Sequence, residues 1–149
     1  MGPALFKGLD ISGSALTAEL TRSQIVATNL ANAFTTRGAD GQPYRRQTVV
    51  FEEELSDAQR AFGRRADEPQ SAGGVRVAEV ARDVDTPFVT VRDPGHPDAD
   101  ANGYVSLPNV DTFQEMVDLA ASRRSFQSNL AAMRTYRSMI EDTLQNFRR

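Results

Sequence analysis

The chain has 149 residues, no cysteine and a net charge of −3, enough length for one domain, or a small domain with appended helices, around a usable core. The missing cysteine excludes disulfides, thiol chemistry and thiolate metal sites, and the sixteen arginines and single lysine are scattered among twenty acids, with no basic stripe to hold nucleic acid. No run approaches the ~18 apolar residues of a membrane span, and MGPALFKGLDISGSA lacks the continuous apolar stretch of a cleavable signal peptide.

Counting alternately by four and three from Leu9 reaches Gly13, Leu16, Leu20, Ser23, Ala27, Leu30 and Phe34, a helical seam that Ile11, Ala15, Ala18, Ile25 and Val26 widen. Its other face is nearly uncharged. From Ser12 to Thr36 only Glu19 and Arg22 carry charge, the remaining polar positions being Ser, Thr, Asn and Gln. A solvated helix face ordinarily carries more charge, so this one suits contact with other proteins.

The middle of the chain changes texture. RQTVVF (46–51), VRVAEV (75–80), FVTV (88–91) and YVSL (104–107) are β-branched or aromatic runs between turn residues, and they predict four short strands. Residues 56–74 are polar and turn-rich and predict a loop. Residues 98–103, DADANG, match the opening half of an EF-hand loop, with Asp98, Asp100 and Asn102 at ligand positions and Gly103 sixth. The closing position, however, holds Asn109 in place of a bidentate Glu, and Pro94 and Pro97 stand where a helix should enter. The stretch therefore reads as a connector turning at Asn102-Gly103 into the last strand.

Past that strand, Pro108 and Asp111 precede a second helix over about 112–147, with Asp111 as N-cap and Gln114 at the third helical position in an Asp variant of the capping box. The four-three count gives Met116, Leu119, Arg123, Phe126, Leu130, Met133, Arg137, Ile140, Leu144 and Phe147, apolar except at the two arginines. Charge in such a seam costs stability unless it is paired or reaches water. The expected class is α+β: long N- and C-terminal helices packed as a coiled-coil-like pair around a small β-rich middle. Residues 1–36 form the first helical region, 37–110 the middle and 111–149 the last helix.

Chemistry is sparse. His96 is a lone loop histidine between Gly95 and Pro97, and Glu52, Glu53 and Glu54 alternate across a strand end and cannot converge. The sequence contains no nucleophile elbow, phosphate-binding loop, dinucleotide fingerprint or His-Glu-x-x-His. No catalytic residue, metal, cofactor or small-molecule substrate is expected.

Two stretches carry a resemblance. NLANAFTT (29–36) followed by PYRRQTVVFEEEL, and DPGHPDADANGYVSLPNVDTFQEMVDLAASRRSFQSNLAAM, are similar to the signatures at the two ends of the bacterial flagellar basal-body rod proteins. The resemblance implies an axial structural subunit without an active site. Such a subunit leaves the cytoplasm uncleaved through the flagellar type III export apparatus. It then stacks helically in the periplasm, with copies of itself and other rod subunits, into the proximal rod that transmits motor torque to the hook. On that view Leu16, Leu20, Leu30, Phe126, Leu130, Met133, Ile140 and Leu144 are apolar assembly contacts, and Asn29, Asn32 and Asn129 are hydrogen-bonding positions of the axial layer. The alternatives are a calcium-dependent or enzymatic periplasmic domain, resting on DADANG and the carboxylates, and a cytoplasmic coiled-coil adaptor.

Overall fold

The computed structural model describes residues 2–54 and 73–147, so most of the polar segment expected as a loop over 56–74 lies outside the described residues. Two helices enclose four strands in sequence: α1 (Gly2–Ala31), β1 (Gln47–Glu54), β2 (Gly74–Arg82), β3 (Val89–Arg92), β4 (Tyr104–Leu107) and α2 (Thr112–Phe147). β1 pairs with β2, and β3 pairs with β4. This is the α+β arrangement read from the sequence. α1 starts at Gly2, seven residues before Leu9, because Pro3 falls in the first turn, where no helical hydrogen bond needs its missing N–H.

The uncharged face of α1 has a specific local chemistry. The hydroxyls of Thr17, Thr21 and Thr28 donate to the carbonyls four residues back, at 3.2, 3.1 and 2.9 Å, so they are satisfied by their own helix. Asn32 closes the C-terminal end, its Nδ2 donating to the Thr28 carbonyl at 2.9 Å and its carbonyl accepting from the Thr35 N–H at 3.0 Å. At the start of α2 the Asp111 Oδ1 accepts the N–H groups of Phe113 and Gln114 at 2.9 and 3.2 Å, which makes it the N-cap. The Gln114 side chain turns forward to Asp118, at 3.4 Å.

By contact the chain resolves into two compact units. One comprises Met1–Thr21, Phe51–Ala78 and Ser122–Arg149. In it α1 and α2 run close together. A Cβ built on Gly8 would lie 2.6 Å from the Tyr136 ring, Gly13 faces the Met133 methyl, and the Ser122 hydroxyl donates to the Glu19 carbonyl at 3.0 Å. The Ser14 hydroxyl accepts the Val75 N–H at 3.1 Å and so ties β2 to α1, while Arg76 pairs with Glu52 across the strands. The acidic run of β1 is thus partly neutralised within the sheet.

The other unit comprises Arg22–Val50 and Glu79–Ala121. Here β3 and β4 are antiparallel, with Val89 opposite Leu107 and Val91 opposite Val105 on one face. The β3–β4 connection turns at Gly103, whose φ of 79° suits glycine, and the Asp100 Oδ1 accepts the Asn102 and Tyr104 N–H groups at 2.8 Å each.

What is buried is unusual. Among the described residues the buried apolar side chains are Ala18, Val26, Ala33, Val105 and Pro108, whereas Ser12, Asn29, Asn109, Glu115 and Ser122 are buried polar ones. This corrects the expected seam of α2. Glu115 and Ser122 are fully buried, whereas Met116 is 60 % exposed and Arg123 and Arg137 face solvent, Arg137 paired with Glu141 at 2.9 Å. Because the inward positions are polar, an apolar count settles one residue away at alternate steps and takes in arginines that the fold leaves outside. On α1 and the turn after it, likewise, Leu20, Ala27 and Phe34 are exposed while Val26, Asn29 and Ala33 are buried.

Asp111→Ala removes the acceptor for two first-turn N–H groups. It should lower unfolding stability by about 1 kcal/mol in urea titrations, and Asp111→Asn should recover most of that loss.

Candidate functional site

The buried polar residues of the second unit converge on one place. Asn29, in the last helical turn before the Ala31 end of α1, uses its whole hydrogen-bonding capacity. Its Nδ2 donates to the Gln47 carbonyl at 2.8 Å and to Glu115 Oε2 at 3.0 Å, and its Oδ1 accepts the Tyr44 hydroxyl at 2.8 Å and the Gln47 N–H at 2.9 Å. The side chain imitates a neighbouring strand for Gln47, taking both backbone groups of one residue. Helix end and strand start are thereby fixed to each other.

Glu115 enters from the first turn of α2, fully buried. Its Oε1 accepts the Arg46 Nε at 2.6 Å, and Arg46 Nη2 reaches Asp118 Oδ2 at 3.4 Å, where Arg22 also approaches Asp118 at 3.6 Å. A buried carboxylate must be paired and hydrogen-bonded to be tolerated, and here one oxygen takes a guanidinium and the other an amide.

Asn109 completes the junction from the segment between β4 and α2. Its Oδ1 accepts the Arg46 N–H at 2.9 Å, and its Nδ2 donates to the carbonyls of Asp83 and Thr86 at 3.1 and 3.2 Å. Arg45 Nη1 reaches those same carbonyls at 3.1 and 3.4 Å, and its guanidinium lies 4.2 Å over the Phe88 ring. The Asp83 carboxyl is held below the usual carboxylate range, chiefly by the Thr86 N–H. The Tyr44 phenol is pushed above its ordinary value of 10.0, first by burial and then by the charge of Glu115, with Arg82 opposing.

The acidic stretch 98–103 is committed elsewhere. Asp98 accepts the Thr36 hydroxyl at 2.7 Å and pairs with Arg37 at 3.0 Å, its own N–H donating to His96 Nδ1 at 3.0 Å. Asp100 serves backbone N–H groups, and Asn109, the would-be closing ligand, is buried in the junction. The loop is a clasp holding the segment after α1. Among the described residues no group of three or more His, Cys, Asp or Glu side chains is placed to hold a metal ion.

The residues singled out in the sequence distribute as follows. Asn29 is at the centre of the junction. Asn32 and Asn129 are half-buried and bond locally, Asn32 to the end of α1 and to the Thr35 hydroxyl, and Asn129 Nδ2 to the Ser125 carbonyl at 3.0 Å. Leu16, Leu30, Phe126, Leu130, Met133 and Ile140 are half-buried, and Leu20 and Leu144 are 51 % and 59 % exposed. Sequence reasoning missed Tyr44, Gln47 and Glu115 as partners of Asn29, and Arg46 as the partner of Glu115. Arg46 and Glu115 are a charged pair from distant segments, and both lie in the PYRRQ and PNVDTFQE stretches quoted for the resemblance.

The chain is also similar to known proteins. Residues 9–39 match the family described as Flagella basal body rod protein, and residues 101–146 match the one described as Flagellar basal body rod FlgEFG protein C-terminal. The chain is 43 % identical over 141 residues to the flagellar basal-body rod protein FlgC of Salmonella typhimurium, covering 95 % of this chain and 96 % of that one. Against FlgC of Bacillus subtilis the identity is 40 % over 145 residues, covering 94 % and 96 %. Against FlgC of Borreliella burgdorferi it is 34 % over 146 residues, covering 94 % and 95 %.

Two outcomes test the junction. Arg46→Met strands a buried carboxylate and should cost about 3–5 kcal/mol in chemical unfolding, whereas Arg46→Met with Glu115→Leu should recover most of it, since a buried ion pair is readily replaced by apolar packing. The raised Tyr44 value means that its neutral form is favoured by folding. Its contribution is full below pH 10 and is lost as pH rises through the folded value. An ultraviolet alkaline titration should show one late-ionising phenol in the folded chain that is absent from Tyr44→Phe.

Proposed function

The chain belongs to the flagellar basal-body rod protein family, and on that footing we propose that it is a structural subunit of the proximal rod, polymerising helically into the axle that carries motor torque to the hook. It works by contact and catalyses no reaction. Its partners are copies of itself and other rod subunits, and it reaches the periplasm uncleaved through the flagellar type III export apparatus. No helix of the described residues is long and apolar enough to cross a membrane.

The observation that carries this reading is where the polar and apolar groups go. The two motif stretches spend their polar side chains on one another, through Asn29, Arg46, Asn109 and Glu115, and large apolar side chains are left outside. Leu20 and Leu144 are more than half exposed, and so are Phe34 and Met116. An isolated chain gains nothing from such a surface, and a polymer covers it. In the rod, Leu16, Leu20, Leu30, Phe126, Leu130, Met133, Ile140 and Leu144 supply the apolar contacts of the axial helices. Asn29, Asn32 and Asn129 hold the local geometry from which those contacts are made.

The test is complementation of a strain that lacks its own copy, with motility and basal-body fractionation as readouts. The native chain should restore swimming and co-purify with basal bodies. Leu20→Asp changes an exposed residue, so helicity by circular dichroism should be unchanged and secretion retained, while incorporation into basal bodies falls at least tenfold. Motile cells carrying Leu20→Asp subunits in their basal bodies would remove Leu20 from the contact set, and a native chain absent from basal bodies would refute the reading itself.

A further inference from the structure

Beside the junction lies a cleft of about 350 Å³ whose lining includes Ala39, Pro43, Tyr44, Arg45, Arg82 and Phe88. The junction uses only part of these side chains. Tyr44 is engaged through its hydroxyl and Arg45 through Nη1 and over the Phe88 ring, so the remaining aromatic surface, the proline and the methyl of Ala39 supply apolar wall, with the exposed Arg82 among them. Walls of this kind accept an aromatic or aliphatic side chain with an anion beside it.

The chain itself carries a group of that description. Phe113, in the first turn of α2, is 75 % exposed, and Met116 and Val117 at the i+3 and i+4 positions are exposed with it. The exposed Asp111 precedes this patch by two residues, its Oδ1 occupied as the helix cap. We propose that the cleft receives the first turn of α2 from a second copy of the chain, with Phe113 as the inserted side chain, Met116 and Val117 packed at the mouth and the Asp111 carboxylate facing Arg82. Cleft and patch use different residues, so the contact is heterologous: each copy offers a patch to one neighbour and a cleft to another, and the series stays open. The amphipathic turn presents its anchors at the spacing by which helices seat in grooves. This inference rests on the rod reading and names one of its contacts.

The absence of cysteine from the sequence allows a clean test. Ala39→Cys and Phe113→Cys are introduced singly and together in the complementing chain, and isolated basal bodies are oxidised with copper phenanthroline. The double variant should give disulfide-linked dimers and higher multimers, and each single variant monomer only. Dimers from Phe113→Cys alone would mean that the patch meets itself, and would overturn the proposal. So would monomer alone from basal bodies that contain the double variant, or cross-linking of Ala39→Cys to Phe34→Cys in its place; in all three cases the rod reading stands. Absence of the native chain from basal bodies would overturn both. Independently of cysteine, Phe113→Leu should incorporate within about twofold of native, and Phe113→Ser should fall at least tenfold with helicity unchanged. Equal incorporation of the two would overturn the proposal.

Discussion

Everything in the second unit depends on a carboxylate that has no access to water. Glu115 is fully buried and its charge is tolerable only because Arg46 and Asn29 each hold one of its oxygens. Arg46 is brought there by the start of β1, whose position is set by Asn29 through Gln47 and by Asn109 through the Arg46 N–H. Segments that lie more than sixty residues apart in sequence therefore meet at one ionic centre. The desolvation cost of the carboxylate makes any arrangement lacking one of them strongly unfavourable, so the centre selects a single register for helix end, strand and helix start.

This mode of construction differs from a leucine-rich helical pair. Buried apolar side chains are few and small, and close approach of the helices in the first unit is achieved by Gly8 against Tyr136 and by a Ser122 hydroxyl donating to the Glu19 carbonyl. Polar groups specify and small groups permit contact, while the larger apolar side chains remain on the outside. A chain so arranged is held in shape by directional bonds more than by apolar burial.

The sequence was informative where pattern and structure share a period. Both helices, all four strands, the Asp111 cap and the turn at Gly103 follow from residue patterns, and so does the reading of 98–103 as a connector. The α2 seam was not legible in detail. Glu115 and Ser122 occupy the inward positions that a hydrophobic count assigns to Met116 and Arg123, because such a count cannot recognise an inward charge whose partner lies sixty-nine residues away. Asn29 could be picked out from its motif, but its four bonds could not, since they depend on where Tyr44, Gln47 and Glu115 arrive. Asn109 was given a role of its own in the sequence reading only as a failed calcium ligand, although it lies in a stretch quoted for the resemblance, and its bonds to the Arg46 N–H and to the Asp83 and Thr86 carbonyls give the physical reason an amide stands there.

The threonines of α1 bear on how such a chain behaves when crowded. Thr17, Thr21 and Thr28 point hydroxyls at their own helix, so the methyl groups are what these side chains leave for outward contact, with little bound water to strip and no counterion to expel. Contacts between such methyl groups contain no charge for salt to screen. Where such a surface is covered, its cohesion carries little of the salt dependence that a charged face would bring.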